Sequence, residues 1–325
     1  GPPLKGDLGG CFPPGTAMFS DIKTLVVKLG TSLLSGETAL VFAGGGSLGA
    51  IQVGMVKALV AAGLEVEMLV GSSVGALNAA FLAERRLEGI DELESVWRRV
   101  RRSDVFPVSI VHAALAFLSM RESLVSAAAL RSLLLREVGV RQIEDTRIPL
   151  VVVATNMEDG AEVALSRGPL VPALMASAAI PAVFPAVEVE GRRLIDGGVA
   201  NNTPVSTAVG LGATRVVVAP TGSPCSCEEF PHSAIFAAIH ALNITIARQL
   251  AIDVERFSAQ AEIVVVPPLC PLSAAAYTFS ATDDLIERAE LRTRAWIESG
   301  GLAGEEAPIL HAPHGPGCPC GRSGS

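Results

Sequence analysis

The sequence predicts an α/β fold of three layers, α/β/α, around a mostly parallel central sheet. Three observations carry that expectation. From residue 38 onward, short apolar runs alternate with helix-like stretches, the order in which parallel sheets are built. The runs are continuous rather than alternating in polarity. Ile148-Pro149-Leu150-Val151-Val152-Val153-Ala154-Thr155 is one, as expected of a strand buried on both faces. Finally, two runs end in glycine-containing turns that open straight into helices. Backbone N–H groups then lie beyond the carboxyl ends of strands, where such sheets bind ligands.

The elements follow in order. Residues 1–17 are rich in Gly and Pro and lack the charged and apolar regions of a secretory signal. In the next stretch, Thr24-Leu25-Val26-Val27-Lys28-Leu29-Gly30-Thr31-Ser32 resembles the opening strand and phosphate loop of glutamate 5-kinase, with no further kinase domain behind it. Residues 1–37 therefore read as a leader or expression-derived segment. Strands are expected at 38–43, 66–70, 148–155, 192–195, 214–219 and 261–266. Helices are expected at 50–62, after residue 75, and at 91–102, 127–138, 169–178, 233–257 and 283–299. Ser126 is positioned as an N-cap of the 127–138 helix. Residues 38–300 read as the working domain and 301–325 as a Gly/Pro-rich tail.

Composition bounds the function. Half of the 325 residues are apolar, enough for a sizeable core, and only 4% are aromatic. The formal net charge of −8 argues against nucleic acid, which needs a basic face. No apolar run is long enough to cross a bilayer, so a cytoplasmic location is the expectation, with contact at the membrane surface at most. The cysteines, Cys11, Cys225, Cys227, Cys270, Cys318 and Cys320, include two Cys-x-Cys pairs rather than the Cys-x-x-Cys of zinc sites. No metal and no organic cofactor are expected.

The chemistry concentrates in three segments. Gly71-Ser72-Ser73-Val74-Gly75 fits G-x-S-x-G between a strand and a helix, which displays Ser73 on a sharp turn as a nucleophile. Upstream, Gly44-Gly45-Gly46-Ser47-Leu48-Gly49 joins a strand to a helix and suits an anion, either a phosphate or the oxyanion of acyl transfer. The nearby serine favours the oxyanion. The spacing matches neither a P-loop nor G-x-G-x-x-G. Downstream, Leu194-Ile195-Asp196-Gly197-Gly198 delivers an aspartate into a glycine turn. It follows Ser177-Ala178-Ala179-Ile180-Pro181-Ala182-Val183-Phe184-Pro185 and precedes Asn201-Asn202-Thr203-Pro204.

In this order the three segments resemble the patatin-like phospholipase family over roughly residues 38–300. The resemblance implies a patatin-like fold and a Ser73–Asp196 dyad in which Asp196 takes the serine proton directly. It implies an oxyanion hole from N–H groups of Gly44, Gly45, Gly46 and Val74. Gly71, Gly75, Gly197 and Gly198 would shape the turns. The substrate it implies is a lipid or other fatty-acyl ester. One position departs: the family's loop often has Lys or Arg just before its last glycine, and here that residue is Leu48. That bears on headgroup preference more than on the chemistry.

Other readings stay open at this level. A Ser–His–Asp triad could run in the chain order Ser73, Asp196, His240 or His311, yet none of the histidines, His112, His232, His240, His311 and His314, follows a buried strand. A non-catalytic lipid-binding protein could keep the same fold. The apolar stretch from Val105 to Leu118 reads as core, or as the wall or lid of an acyl pocket. Arg85, Arg86, Arg98, Arg99, Arg101 and Arg102 interleave with acidic residues, as on a solvated, salt-bridged helix face.

Overall fold

The computed structural model describes residues 38–106, 125–222, 234–269, 272 and 279–303, without the side chains of 234–244. The leader, most of the tail, residues 107–118 of the apolar stretch, all six cysteines and every histidine side chain lie outside that description.

An eight-stranded mixed sheet runs through the chain. Its parallel part holds β1 (Thr38–Phe42), β2 (Met68–Ser72), β3 (Leu150–Asn156), β7 (Arg215–Ala219) and β8 (Glu262–Val265), in the order β3-β2-β1-β7-β8. These are the continuous Val/Ala/Leu runs of the sequence, and each is covered on both faces. One face carries Leu40, Phe42, Leu69, Val152 and Val217, the other Ala39, Val41, Val70, Val151 and Val216. The period-two alternation of strands thus divides a uniformly apolar run between two cores.

Helices fill the outer layers. The first core is closed by α1 (Gly49–Ala61), α2 (Val74–Arg85), α3 (Ile90–Arg99), α5 (Ala128–Glu137), α6 (Leu170–Ser177) and α9 (Thr282–Glu298). The second is closed by α7 (Val205–Gly210) and α8 (Ala234–Phe257). The three-layer expectation holds. The charged helix expected over 91–102 stops at Arg99, where Val100 is extended, and a short α4 (Arg102–Val105) follows. The polar face of α3 is ion-paired as its charge pattern suggested: Arg98 reaches Glu94 and Asp283, and Glu92 pairs with Arg85 at the end of α2.

The far edge of the sheet departs from parallel. There β4 (Glu162–Leu165), β5 (Val187–Val189) and β6 (Arg192–Asp196) run antiparallel to their neighbours. Val153 of β3 pairs with Ser72 and Ala164, and the next residue, Ala154, pairs with Asp196 and Val163. β4 occupies one edge of β3 along this length. β2 and β6 therefore share the other edge, end to end, arriving from opposite directions. The seam between them falls where Ser72 and Asp196 face consecutive residues of β3.

Candidate active site

That seam is what brings the two motifs together. Ser73 continues from the end of β2 with φ 52 and ψ −128, a left-handed setting that is costly for a residue with a Cβ. Two features hold it there. The Ser73 N–H donates to the hydroxyl of Ser177 at 2.9 Å, and that hydroxyl donates to the Val153 carbonyl at 2.5 Å. Gly75 supplies close approach: a Cβ on it would lie 2.4 Å from the Phe42 carbonyl oxygen and 2.6 Å from that of Ala43. The glycine lets the first turn of α2 sit against the end of β1.

Asp196 is fixed on four sides. Its N–H donates to Ala179 O at 3.0 Å, and its carbonyl accepts from the Thr155 hydroxyl at 2.8 Å. One carboxylate oxygen, Oδ1, accepts from the Gly198 N–H at 2.7 Å. The other, Oδ2, accepts from the Ser73 hydroxyl at 2.7 Å. Both residues are only 6% exposed. Burial pushes the Asp196 carboxyl up to about 6, against the smaller opposing pull of the hydrogen bonds from Ser73 and Gly198.

The glycine loop lies beside this pair. Gly46, with φ 60, opens a 3₁₀ turn (Gly46–Leu48) that runs into α1. Gly46 and Val74 each begin a helical segment, where first-turn N–H groups have no intrahelical acceptor. Both border the cavity that Ser73 faces. Gly44 is placed differently from its expected role. Its N–H donates to Asn202 O at 3.0 Å, and its carbonyl accepts from the Thr221 hydroxyl at 2.6 Å. Its donor is already engaged, so Gly44 anchors the loop. Gly45 packs against Thr221, which a Cβ would meet at 2.3 Å.

Asn202 thus joins the glycine loop to the Asp196-Gly197-Gly198 turn, whereas Asn201 donates to Glu162 and Ser206. A buried polar network supports the loop from below. Gln52 donates to the carbonyls of Ala43 and Ala219 at 2.8 and 2.9 Å. Asn78 donates to Gly49 O and to Gln52 Oε1, and accepts from the Trp97 indole N–H at 2.9 Å. Sequence reading did not assign Ser177, Thr155, Thr221, Gln52 or Asn78. Of these, Ser177 opens the Ser177–Pro185 segment and Thr155 closes the Ile148–Thr155 run.

From Ser73 a cleft of about 830 Å³, open mouth included, runs between α2, α3 and α5. Its walls are almost wholly apolar, with Leu77, Phe81, Trp97, Leu134 and Phe184 among them. Phe106, from the stretch read as core or pocket wall, lies on the lining and stacks on Phe184 at 5.5 Å between ring centroids. A serine hydroxyl bonded to a buried carboxylate, beside free helix-start N–H groups and at the end of an apolar cleft, is chemically an acyl-transfer constellation. Among the described residues no cluster of His, Cys, Asp and Glu has the makings of a metal site, and no helix is long and apolar enough to cross a membrane.

These features define an α/β protein of the serine-elbow class. The family model described as "Patatin-like phospholipase" matches residues 40–209, more than half of the chain, and the chain belongs to that family. An uncharacterized NTE family protein of Mycobacterium bovis is 32% identical over 183 residues, which is 56% of this chain and 48% of that protein. Patatin-like phospholipase domain-containing protein 7 of Rattus norvegicus is 29% identical over 198 residues, 60% of this chain and 14% of that protein. The chain therefore spans less than half the length of these relatives. Among solved structures, VipD from Legionella pneumophila aligns with TM-score 0.44 and 14% identity, covering 82% of this chain and 67% of that one. Human GIVD cytosolic phospholipase A2 aligns with TM-score 0.45 and 13% identity, covering 89% and 63% respectively.

Proposed function

We propose that this chain is a lipid acyl hydrolase, a phospholipase or esterase working through a Ser73–Asp196 dyad without a cofactor. The observation that carries the reading is the direct 2.7 Å hydrogen bond from Ser73 Oγ to the buried carboxylate of Asp196. A triad would need an imidazole between the two groups, and this contact leaves no room for one. Family membership supports the lipid acyl ester as substrate class.

In this reading Ser73 Oγ attacks the ester carbonyl as its proton passes to Asp196 Oδ2. Charge develops on the carbonyl oxygen, which the N–H groups of Gly46 and Val74, with Gly45 adjacent, stabilise. One such donor is typically worth about 10²–10³ in rate. The intermediate collapses, the alkoxide takes the proton from Asp196 and leaves, and Ser73 carries the acyl group. Water then attacks through the same base and restores the dyad. An ordinary aspartate is a weak base at neutral pH. One raised to about 6 is closer to the range where general-base catalysis works well, yet is mostly ionised at pH 7.

The test is turnover of p-nitrophenyl esters and of a diacyl phospholipid by the parent protein, Ser73→Ala and Asp196→Asn. Loss in both variants, with unchanged far-UV dichroism, is expected. Full activity in either variant would overturn the dyad. Lipid binding without any turnover by the parent would favour the binding-protein reading.

A further inference from the structure

The lining of the cleft can be followed along one helix. Ser73 stands at the start of α2, and the α2 residues that line the cleft are Val74, Leu77, Asn78 and Phe81, one stripe along the helix. The next turn of that stripe changes character. Arg85 lies over the Phe81 ring, 3.9 Å from its centroid, and donates to the Glu137 carbonyl at 3.1 Å. Its neighbour Glu84 accepts from the Gly139 N–H at 2.9 Å, and the Glu137 carboxylate lies 3.5 Å from Arg99. The C-terminus of α5 is thereby pinned to the C-terminus of α2. Along α2 the lining that begins at the nucleophile reaches no further than Phe81, whose ring is covered by the ion-paired Arg85.

We infer that Phe81, held by Arg85 and Glu137, sets the length of acyl chain this site accepts. This rests on the hydrolase reading above and adds a substrate class to it: medium-chain acyl esters. The eight residues from Ser73 to Phe81 span about 12 Å at 1.5 Å each. An extended alkyl chain advances roughly 1.25 Å per carbon, from 1.52 Å bonds at tetrahedral angles. The channel therefore takes up about ten carbons before the tail meets the ring. Beyond it, four residues to Arg85 leave room for about five more carbons if the ring is removed. Leu77 stands halfway, about 6 Å from Ser73.

The experiment is kcat/KM for p-nitrophenyl esters from four to sixteen acyl carbons in a fixed mixed micelle. Each preparation is normalised to active sites titrated with a fluorophosphonate and to its own four-carbon rate. For the parent, each added methylene buried should raise kcat/KM by about fourfold until near ten carbons, then by nothing further. Phe81→Ala should move that break about five carbons longer, and Leu77→Phe about five shorter. The second variant alters only the cleft wall, so it gives an answer even where the first folds poorly. A parent profile that climbs unbroken to sixteen carbons, or a break that stays put in Leu77→Phe, overturns the proposal. Turnover with the wrong profile refutes this inference alone, whereas absence of turnover at every length refutes the hydrolase reading beneath it.

Discussion

Replacing Asp196 by asparagine should destroy turnover and stabilise the fold, and the second effect can be given a size. The carboxyl is held at about 6, chiefly because burial disfavours its charge. Unfolded, it would titrate near 3.9. The folded state therefore binds this proton more tightly, and stability is highest below the unfolded value. It falls as pH rises between about 4 and 6 and is then constant. The gap between the two values corresponds to about 3 kcal/mol of strain at pH 8, roughly half of that at pH 5 and little at pH 4. Asparagine keeps the shape and can still accept from the Gly198 N–H, but it has no charge to desolvate. Urea unfolding of parent and Asp196→Asn at pH 8 should thus show a gain of about 2–3 kcal/mol with an unchanged m-value, shrinking to near zero at pH 4. A variant no more stable than the parent at pH 8, or one with the same gain at both pH values, would refute the account of a strained, buried base.

Other outcomes follow from the same geometry. The pH profile of kcat/KM should show an acidic limb near pH 6, losing about tenfold per unit below it, because the base must be ionised. A rate independent of pH down to 4.5 would exclude Asp196 as that base. Ser177→Ala orphans the buried Ser73 N–H and should cost about 1–3 kcal/mol in denaturant, with kcat per titrated site falling more than KM changes. Gly75→Ala forces a methyl into the carbonyls of Phe42 and Ala43 and should lower stability by about 1–3 kcal/mol or more, read as a fall in Tm.

Much of this was legible in the sequence because it is written locally. Strand β1 and the glycine loop, or β2 and the Ser73 turn, are contiguous segments in which period, turn chemistry and helix start agree. Asp196 was legible for the same reason, as an aspartate at a strand end before two glycines. What escaped was written across the fold. β4 and β5 are strands of only four and three residues, too short for their alternation to stand out, so the antiparallel edge went unread. Ser177 supports Ser73 from 104 residues away, and Thr155 holds Asp196 across 41. Neither carries a signal until β3 places both strand ends along one edge. The demotion of Gly44 from oxyanion donor to anchor needed the Asn202 carbonyl, which no loop motif contains.

The seam on β3 also fixes when, during synthesis, a working site can exist. Nucleophile and base are separated by 123 residues and meet only after the β5–β6 hairpin has docked against the end of a strand already in place. A ribosome-bound chain that ends before that hairpin carries a displayed serine and a glycine loop but no base. On the proposed dyad, a partly made chain would therefore lack its base. The pair is completed in one step, when the hairpin closes the edge.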